Sequence, residues 1–228
     1  MLPRESKVVV IEELKPLLKG GSTWLSLFKV MYYTRQYRYI RADQYKLIDP
    51  LFSKICTKPK LKTLVDLGYF RGDKVYTATN KVMPVLQKAG FLTRFLPAET
   101  EGTGGINALN NTEVFIQALK VENYYTLLFP NFIYLEPDAL LIQNYGEKYK
   151  LTFLEIESEK FGWDGYLENK RNNYLKLAKD LAFYDFWKTA SKILGLRIPT
   201  KQELKFNVTF VCSLQRDFGK GFNFKQQI

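Results

Sequence analysis

Residues 137–157, PDALLIQNYGEKYKLTFLEIE, decide how the second half of this chain folds. Residues 139–142 and 151–156 are apolar runs of the length and composition typical of strands. Asn144-Tyr145-Gly146 lies between them and supplies a turn. The stretch therefore predicts two strands that pair as a hairpin.

Acidic side chains stand at the ends of these two predicted strands. Asp138 begins the first strand, and Glu155 and Glu157 flank Ile156 at the end of the second. Because side chains alternate along a strand, Glu155 and Glu157 point one way while Leu154 and Ile156 point the other way. Pairing through the turn brings Asp138 close to Glu155. These two carboxylates and the Ile156 carbonyl suit a magnesium or manganese ion, since magnesium usually takes one or two carboxylates and several waters.

Further elements are predicted on both sides of the hairpin. A helix over residues 113–121 and a strand over 127–135 precede it. A long helix over 166–194, broken near Asp185, and a strand over 207–212 follow it. The order of this half is therefore helix, three strands, helix, strand.

One lysine lies on the apolar side of the predicted long helix. Lys170, Tyr174, Leu177 and Leu181 recur at i, i+4, i+7 and i+11, which places them on one helical face. Lys170 would then reach the strand ends, where its charge could stabilise an attacked phosphate or orient a water molecule. The alternative is that Lys170 and Arg171 form a cationic pair on the surface.

The positive charge of the chain is confined to its first part. Residues 1–95 hold 18 Lys and Arg against 7 Asp and Glu, and residues 96–228 hold 16 of each, so the whole net charge of +11 comes from the first part. Such a surplus implies a polyanionic partner, because cations placed on phosphates release condensed counterions. We expect double-stranded DNA, with an acidic membrane surface as the alternative.

The first part also has the pattern of a winged helix-turn-helix domain. Helices are predicted over residues 24–31, 41–51 and from Pro59 to Gly68, followed by an Arg71-Gly72-Asp73 turn, a strand over 74–77 and a fourth helix over 79–89. The side chains expected to contact DNA are Lys58, Lys60, Lys62 and Thr63 on the third helix, Arg71 and Lys74 on the hairpin, and Arg38 and Arg41 near the second helix. The alternative is that these charges only keep a helical domain soluble.

A glycine- and asparagine-rich stretch over residues 97–111 predicts the linker between the two parts. The predicted organisation is an α+β protein with a winged helix-turn-helix domain over 1–96 and an α/β domain over 112–228. The longest uncharged stretch has 13 residues, 123–135, short of the roughly 20 that a spanning helix needs. We expect a soluble, cytoplasmic protein without a membrane partner. The sequence contains no His, which excludes catalytic triads and metal sites that depend on histidine.

The second half resembles the PD-(D/E)xK nuclease fold of restriction endonucleases and Holliday-junction resolvases, through Pro137-Asp138 and Glu155-Ile156-Glu157. With its basic first part and the helix containing Lys170-Arg171-Asn172-Asn173-Tyr174, the chain resembles the plasmid replication-relaxation proteins of mobile elements. The resemblance implies a magnesium-dependent DNA endonuclease. Asp138 and Glu155 would hold the metal, Glu157 would assist as a ligand or base, and Lys170 would meet the phosphate.

The sequence departs from the family pattern where the catalytic lysine belongs, since Glu157 stands there. Lys170 could fill that role from the following helix. The departure also favours an alternative, in which the protein keeps a nuclease scaffold without its chemistry and serves replication, mobilisation or transcription control. A third class is an assembly subunit that docks on another protein of a replication, recombination or mobilisation complex.

Overall fold

The computed structural model describes most of the chain, in two compact units, Met1–Val121 and Glu122–Ile228. The residues that it describes are 9–94, 96–99, 112–113, 116, 124–128, 130, 132, 134–145, 148–157, 163–198, 200, 205–212 and 217–225. Helices and sheets occur together, so the predicted α+β class is confirmed. The division between the units falls after the predicted linker. Thr112, beyond that linker, donates a hydrogen bond to the carbonyl of Tyr39 at 2.7 Å and belongs to the first unit.

The first unit combines short helices with a small antiparallel sheet. Its elements are a 3-10 helix Glu12–Leu18, α1 Trp24–Tyr37, β1 Ile40–Arg41, α2 Tyr45–Ile48, a 3-10 helix Pro50–Lys54, α3 Lys58–Asp66, β2 Phe70–Arg71, β3 Val75–Ala78 and α4 Val82–Lys88. The order of the three strands in the sheet is β1-β3-β2. Strand β3 therefore lies between β1, which follows α1, and its own hairpin partner β2.

Helix α1 supplies much of the core of the first unit. It begins after Thr23, whose side-chain oxygen accepts a hydrogen bond from the Ser26 amide, an arrangement that stabilises a helix start. Its buried face includes Leu27, Phe28 and Met31, as the apolar spacing predicts.

The predicted second helix over residues 41–51 is wrong at both ends. Arg41 lies in β1, where Gln44 accepts a hydrogen bond from the Arg41 amide. At the other end, Asp49 precedes Pro50. Its dihedral angles are extended, because the helical region is disfavoured for a residue that precedes proline. Only Tyr45–Ile48 remains as α2, with a separate 3-10 helix beyond it.

The turn between β2 and β3 depends on Gly72. This residue has φ +101°, and a Cβ atom added to it would lie 1.9 Å from the carbonyl oxygen of Val75. We expect Gly72→Ala to destabilise the first unit by about 3 kcal/mol or more, because the backbone strain and the clash add together. Gly68 has φ +74° with open space around it, so Gly68→Ala should cost only about 1 kcal/mol. Urea unfolding checks the difference, and equal losses would contradict it.

Among its described residues, the second unit contains a five-stranded mixed sheet and two helices. Its elements are β4 Tyr124–Leu128, β5 Ala139–Tyr145, β6 Lys148–Ile156, α5 Trp163–Leu177, α6 Leu181–Leu194, β7 Phe206–Val211 and β8 Phe222–Lys225. The strand order is β4-β5-β6-β7-β8; the first three are antiparallel, and β7 and β8 continue parallel to β6. The predicted helix over 113–121 falls largely outside the described residues. The predicted strand over 127–135 is misplaced, since β4 ends at Leu128.

The predicted long helix is two helices, and the break lies at residues 178–180 instead of near Asp185. Asp180 starts α6 by accepting a hydrogen bond from the Ala182 amide at 2.8 Å, which satisfies a free helix-start donor. Leu181 is therefore a first-turn residue and is 57% exposed, so its predicted burial is wrong. Within the described parts of the chain, none of the helices combines the length and apolar character that a membrane crossing requires.

Candidate active site

The hairpin of β5 and β6 brings Asp138 to the end of β6. Ala139 pairs with Leu154 in the antiparallel register, so Asp138 lies beside Glu155. The Asp138 carboxylate accepts a hydrogen bond from the Ile156 amide at 2.7 Å. This bond joins the start of one strand to the end of the other and fixes the carboxylate at their common edge. The structure thus brings Asp138 and Glu155 together, as the predicted hairpin requires, although Asn144 and Tyr145 lie within β5 and not in the turn.

Glu155 and Glu157 face the same side of the sheet and share one cation. The Lys170 ammonium lies 2.5 Å from Oε2 of Glu155 and also contacts Oε1 of Glu157. The two carboxylates are nearly or fully buried, with exposures of 0% and 5%, and the Lys170 side chain is 17% exposed. The prediction that Lys170 reaches the strand ends is therefore confirmed. We call these three residues, together with Asp138, the acid–lysine cluster.

Two tyrosines complete the hydrogen bonding of the cluster. Tyr174, one turn after Lys170 on α5, donates its hydroxyl hydrogen to Oε1 of Glu155 at 2.5 Å. Tyr166, one turn before Lys170, donates to Oε1 of Glu157 at 3.0 Å. Residues 166, 170 and 174 thus form one polar row along α5 that faces the acids. Tyr166 was not among the predicted site residues, although it lies four positions before Lys170, a spacing that places two side chains on one helical face.

Burial and charge shift the pKa values in this cluster. Burial raises the pKa of the Glu155 carboxyl to about 7; the Lys170 ammonium acts against this rise, and the nearby Asp138 carboxylate adds to it. For Lys170, burial alone would lower the pKa, but Glu155 and Glu157 raise it above its usual value. Burial also raises the pKa of Tyr174 well above its usual range. Lys170 is therefore a fixed positive charge, and Tyr174 a proton donor in its hydrogen bond.

The oxygen ligands of the cluster match magnesium or manganese in type. Asp138 and Glu155 provide two carboxylates, the number that protein-bound magnesium usually takes. In the part of the chain that the structure describes, no group of three or more acidic, His or Cys side chains is placed to hold a metal ion. A metal here would depend on Asp138, Glu155 and water, and would replace the Lys170 ammonium on Oε2 of Glu155. Asp138 and Glu155 therefore fit the ion only if the Lys170 ammonium moves away from Glu155.

The predicted DNA-contacting residues of the first unit differ in how their side chains are used. Lys58, Lys62 and Lys74 are exposed, and the first two lie one turn apart on α3. Arg41 instead binds Asp43 at 3.1 Å and Glu113 at 2.6 Å. Three of the other four have local structural roles: Thr63 donates to the Pro59 carbonyl, Arg71 is paired with Glu99, and Arg38 ends α1 with φ 62°.

Lys60 has an internal role that its sequence position did not indicate. Its ammonium donates to the carbonyl oxygens of Lys19 and Lys54 at 2.7 and 2.8 Å, and to the Ser22 hydroxyl at 2.9 Å. These three bonds use all three ammonium hydrogens. Lys60 therefore ties α3 to two neighbouring segments, and we leave it out of the candidate DNA-binding surface.

Comparison with protein-family models, with curated proteins and with solved structures finds no match for this chain. The fold and the site alone define its class, an α+β protein with a buried acid–lysine cluster in one unit and a surplus of positive charge in the other.

Proposed function

We propose that this protein binds double-stranded DNA through its first unit and hydrolyses phosphodiesters at the acid–lysine cluster of its second unit. The observation that carries the proposal is the meeting of Asp138, Glu155, Glu157 and Lys170 at one edge of the sheet. They are spread over more than thirty positions in the sequence. Carboxylates beside a fixed cation are the groups that metal-assisted phosphate chemistry uses.

The topology of the first unit supports a winged helix as its fold. The order helix, strand, three further helical segments and a β-hairpin, with β3 between β1 and β2, agrees with that architecture. In such domains the third helix enters the major groove and the hairpin, or wing, follows the DNA backbone. On this assignment Lys58 and Lys62 lie on the recognition helix, and Arg71 and Lys74 on the wing.

The second unit has features that support a PD-(D/E)xK nuclease-like core. Antiparallel β4, β5 and β6 are followed by helices and a parallel strand, with the acids at the ends of β5 and β6. Lys170 replaces, from α5, the lysine that is missing at position 157. The Lys170 ammonium would stabilise negative charge on the attacked phosphate.

Each residue of the cluster has a defined part in the proposed reaction. Asp138 and Glu155 would hold a magnesium or manganese ion, which supplies Lewis-acid activation of water and neutralises phosphate charge when bound. Tyr174 orients Glu155, and Tyr166 orients Glu157, through the hydroxyl hydrogen bonds described above. Glu157 can accept the proton of an attacking water at its carboxylate. Lys170 keeps its proton and faces the phosphate as a cation.

A second candidate function has a specific observation in its favour. Both carboxylate oxygens of Glu155 already accept hydrogen bonds, from Lys170 and Tyr174. A closed ion pair of this kind would also suit an inert scaffold, in which Lys170 replaces the metal permanently. In that case the protein would be a DNA-binding factor of replication or mobilisation. It would bind DNA without any metal requirement and would not cleave it.

DNA binding by α3 is tested by comparing two lysines of the same helix. We expect Lys62→Met to lower DNA affinity several-fold and to reduce the slope of log affinity against log salt by about 0.9, because one phosphate contact is lost. Lys60→Met removes the same charge from a side chain whose ammonium is already bound to Lys19, Ser22 and Lys54. The DNA affinity of this variant should therefore change much less. It should instead destabilise the first unit by about 1 kcal/mol, since three partly exposed hydrogen bonds of the ammonium are lost.

Fluorescence anisotropy with a labelled duplex at several salt concentrations measures the affinity, and urea unfolding measures the stability. Equal losses of affinity in the two variants would mean that α3 does not face the DNA. The absence of any DNA binding by the unmodified protein would reject the proposed function of the first unit.

A further inference from the structure

The first unit contains an open cleft of about 600 Å³ between the end of α3, the β2–β3 hairpin and the residues that precede α4. Its polar lining includes Arg71 from the hairpin, Asn80 and Lys81 before α4, and Glu99 from the segment that follows α4. Three of these four residues offer donors or positive charge. Only Glu99 offers an anion.

The Glu99 carboxylate occupies two donors of this cleft at once. Its Oε1 lies 2.7 Å from the Arg71 guanidinium, and its Oε2 accepts the Asn80 backbone N–H at 2.7 Å. The Glu99 side chain is only 17% exposed, whereas Arg71 is 58% exposed. A guanidinium and a backbone N–H that converge on one anion are also the donors that hold a phosphate group in protein–DNA complexes.

Arg35 fixes this pair of donors from inside the unit. It is 4% exposed and donates to the Ala78 carbonyl, to Oδ1 of Asn80 and to the Pro97 carbonyl, at 2.8, 2.8 and 2.9 Å. The bonds to Ala78 and Asn80 hold the end of β3 and the residue that presents the backbone N–H. The donor geometry is therefore built into the core, while the Arg71–Glu99 pair lies at its rim.

We propose that Arg71 and the Asn80 amide form a binding site for a DNA backbone phosphate, and that Glu99 is an internal competitor that fills this site in the free protein. The inference rests on the proposed DNA binding by the first unit. A phosphodiester carries one negative charge, as the Glu99 carboxylate does, so one anion replaces the other on the same donors. Because the Arg71 side chain is 58% exposed, its guanidinium can turn from Glu99 to an approaching phosphate.

Competition makes the effects of Arg71 and Glu99 on DNA affinity depend on each other. In the unmodified protein, part of the binding free energy of Arg71 is spent on displacing Glu99. We therefore expect Glu99→Gln to raise DNA affinity about 5-fold, a common size for coupled sites, and to steepen the salt slope by up to about 0.9. Gln keeps an oxygen acceptor for the Asn80 amide but removes the negative charge that acts on the buried Arg35, so urea unfolding of the variant is measured beside its affinity.

The experiment is a double-mutant cycle on DNA affinity, measured by anisotropy with a mixed-sequence duplex and the full-length chain. Arg71→Ala should lower affinity modestly in the native background and about 5-fold more when Glu99→Gln is present. Glu12→Gln, which removes a 78% exposed acid paired with Lys15, controls for net charge. Glu99→Asp adds a second control, because it keeps the charge but shortens the reach; it should also raise affinity.

Three results would overturn the inference. The first is that Arg71→Ala and Glu99→Gln have additive effects on DNA affinity. The second is that Glu12→Gln raises DNA affinity as much as Glu99→Gln does. The third is that Glu99→Asp lowers DNA affinity while its fold stays intact. These results leave DNA binding itself in place. If instead neither the unmodified protein nor any variant binds the duplex, the proposed function fails. Failure of the inference and failure of the proposed function are thereby distinguished.

Discussion

Glu155→Gln is expected to lower the rate of metal-dependent DNA cleavage by about 10²–10³-fold, the range found when one charge-stabilising group is removed from an active site. Glutamine keeps the size of the side chain and an acceptor for the Tyr174 hydroxyl. It removes the charge that would bind a metal ion and that faces Lys170. Because the substitution also breaks a buried ion pair from one side, urea unfolding of the same variant separates lost chemistry from lost folding. Nicking of supercoiled DNA with magnesium or manganese measures it.

Glu168→Gln provides the matched control for this loss of one acid. Glu168 lies on α5, close in sequence to Lys170, but it is 49% exposed and pairs with Arg171 at the surface. Its substitution should leave the cleavage rate within about 2-fold, because exposed pairs contribute little. Cleavage by Glu155→Gln at the native rate would reject the proposed site. Inactivity of the unmodified protein on supercoiled and branched DNA would favour the inert scaffold.

The residues that form the acid–lysine cluster could be predicted because each follows a strong local rule. Strand alternation places Glu155 and Glu157 on one side, and the hairpin register brings Asp138 to Glu155. Helical spacing places Lys170 and Tyr174 on one face of α5. These rules hold within one uninterrupted element, and the helical rule fails at Leu181, which lies beyond the break between α5 and α6.

Other features depend on tertiary contacts and could not be predicted in this way. Lys60 shares α3 with exposed lysines, and its ammonium is held away from them by Lys19 and Ser22, which lie 41 and 38 residues earlier in the sequence. Strand β1 has two residues, too few for a periodic pattern, and exists because β3 pairs with it. The pairing of Arg71 with Glu99 joins residues whose separation has no helical or strand period. Each outcome was fixed by a partner far away in the sequence.

The second large effect is expected in stability, when Lys170 is replaced. Lys170→Met leaves Glu155 and Glu157 buried, with exposures of 0% and 5%, and removes the cation between them. Breaking a buried ion pair from one side typically costs about 3–5 kcal/mol, because a charge remains without compensation. We expect a loss of that order in the second unit. Arg171→Met, which removes the neighbouring and more exposed cation, should cost about 0–1 kcal/mol.

Urea unfolding followed by tryptophan fluorescence measures this loss. Trp24→Phe removes the single tryptophan of the first unit and leaves Trp163 and Trp187 as reporters of the second. Adding Glu155→Gln to Lys170→Met should restore part of the stability, because the neutral amide no longer needs a cation while Tyr174 keeps an acceptor. Strictly additive losses in this cycle would mean that Lys170 and Glu155 are not energetically coupled. A loss no larger than that of Arg171→Met would mean that the cluster opens to water once the lysine is gone.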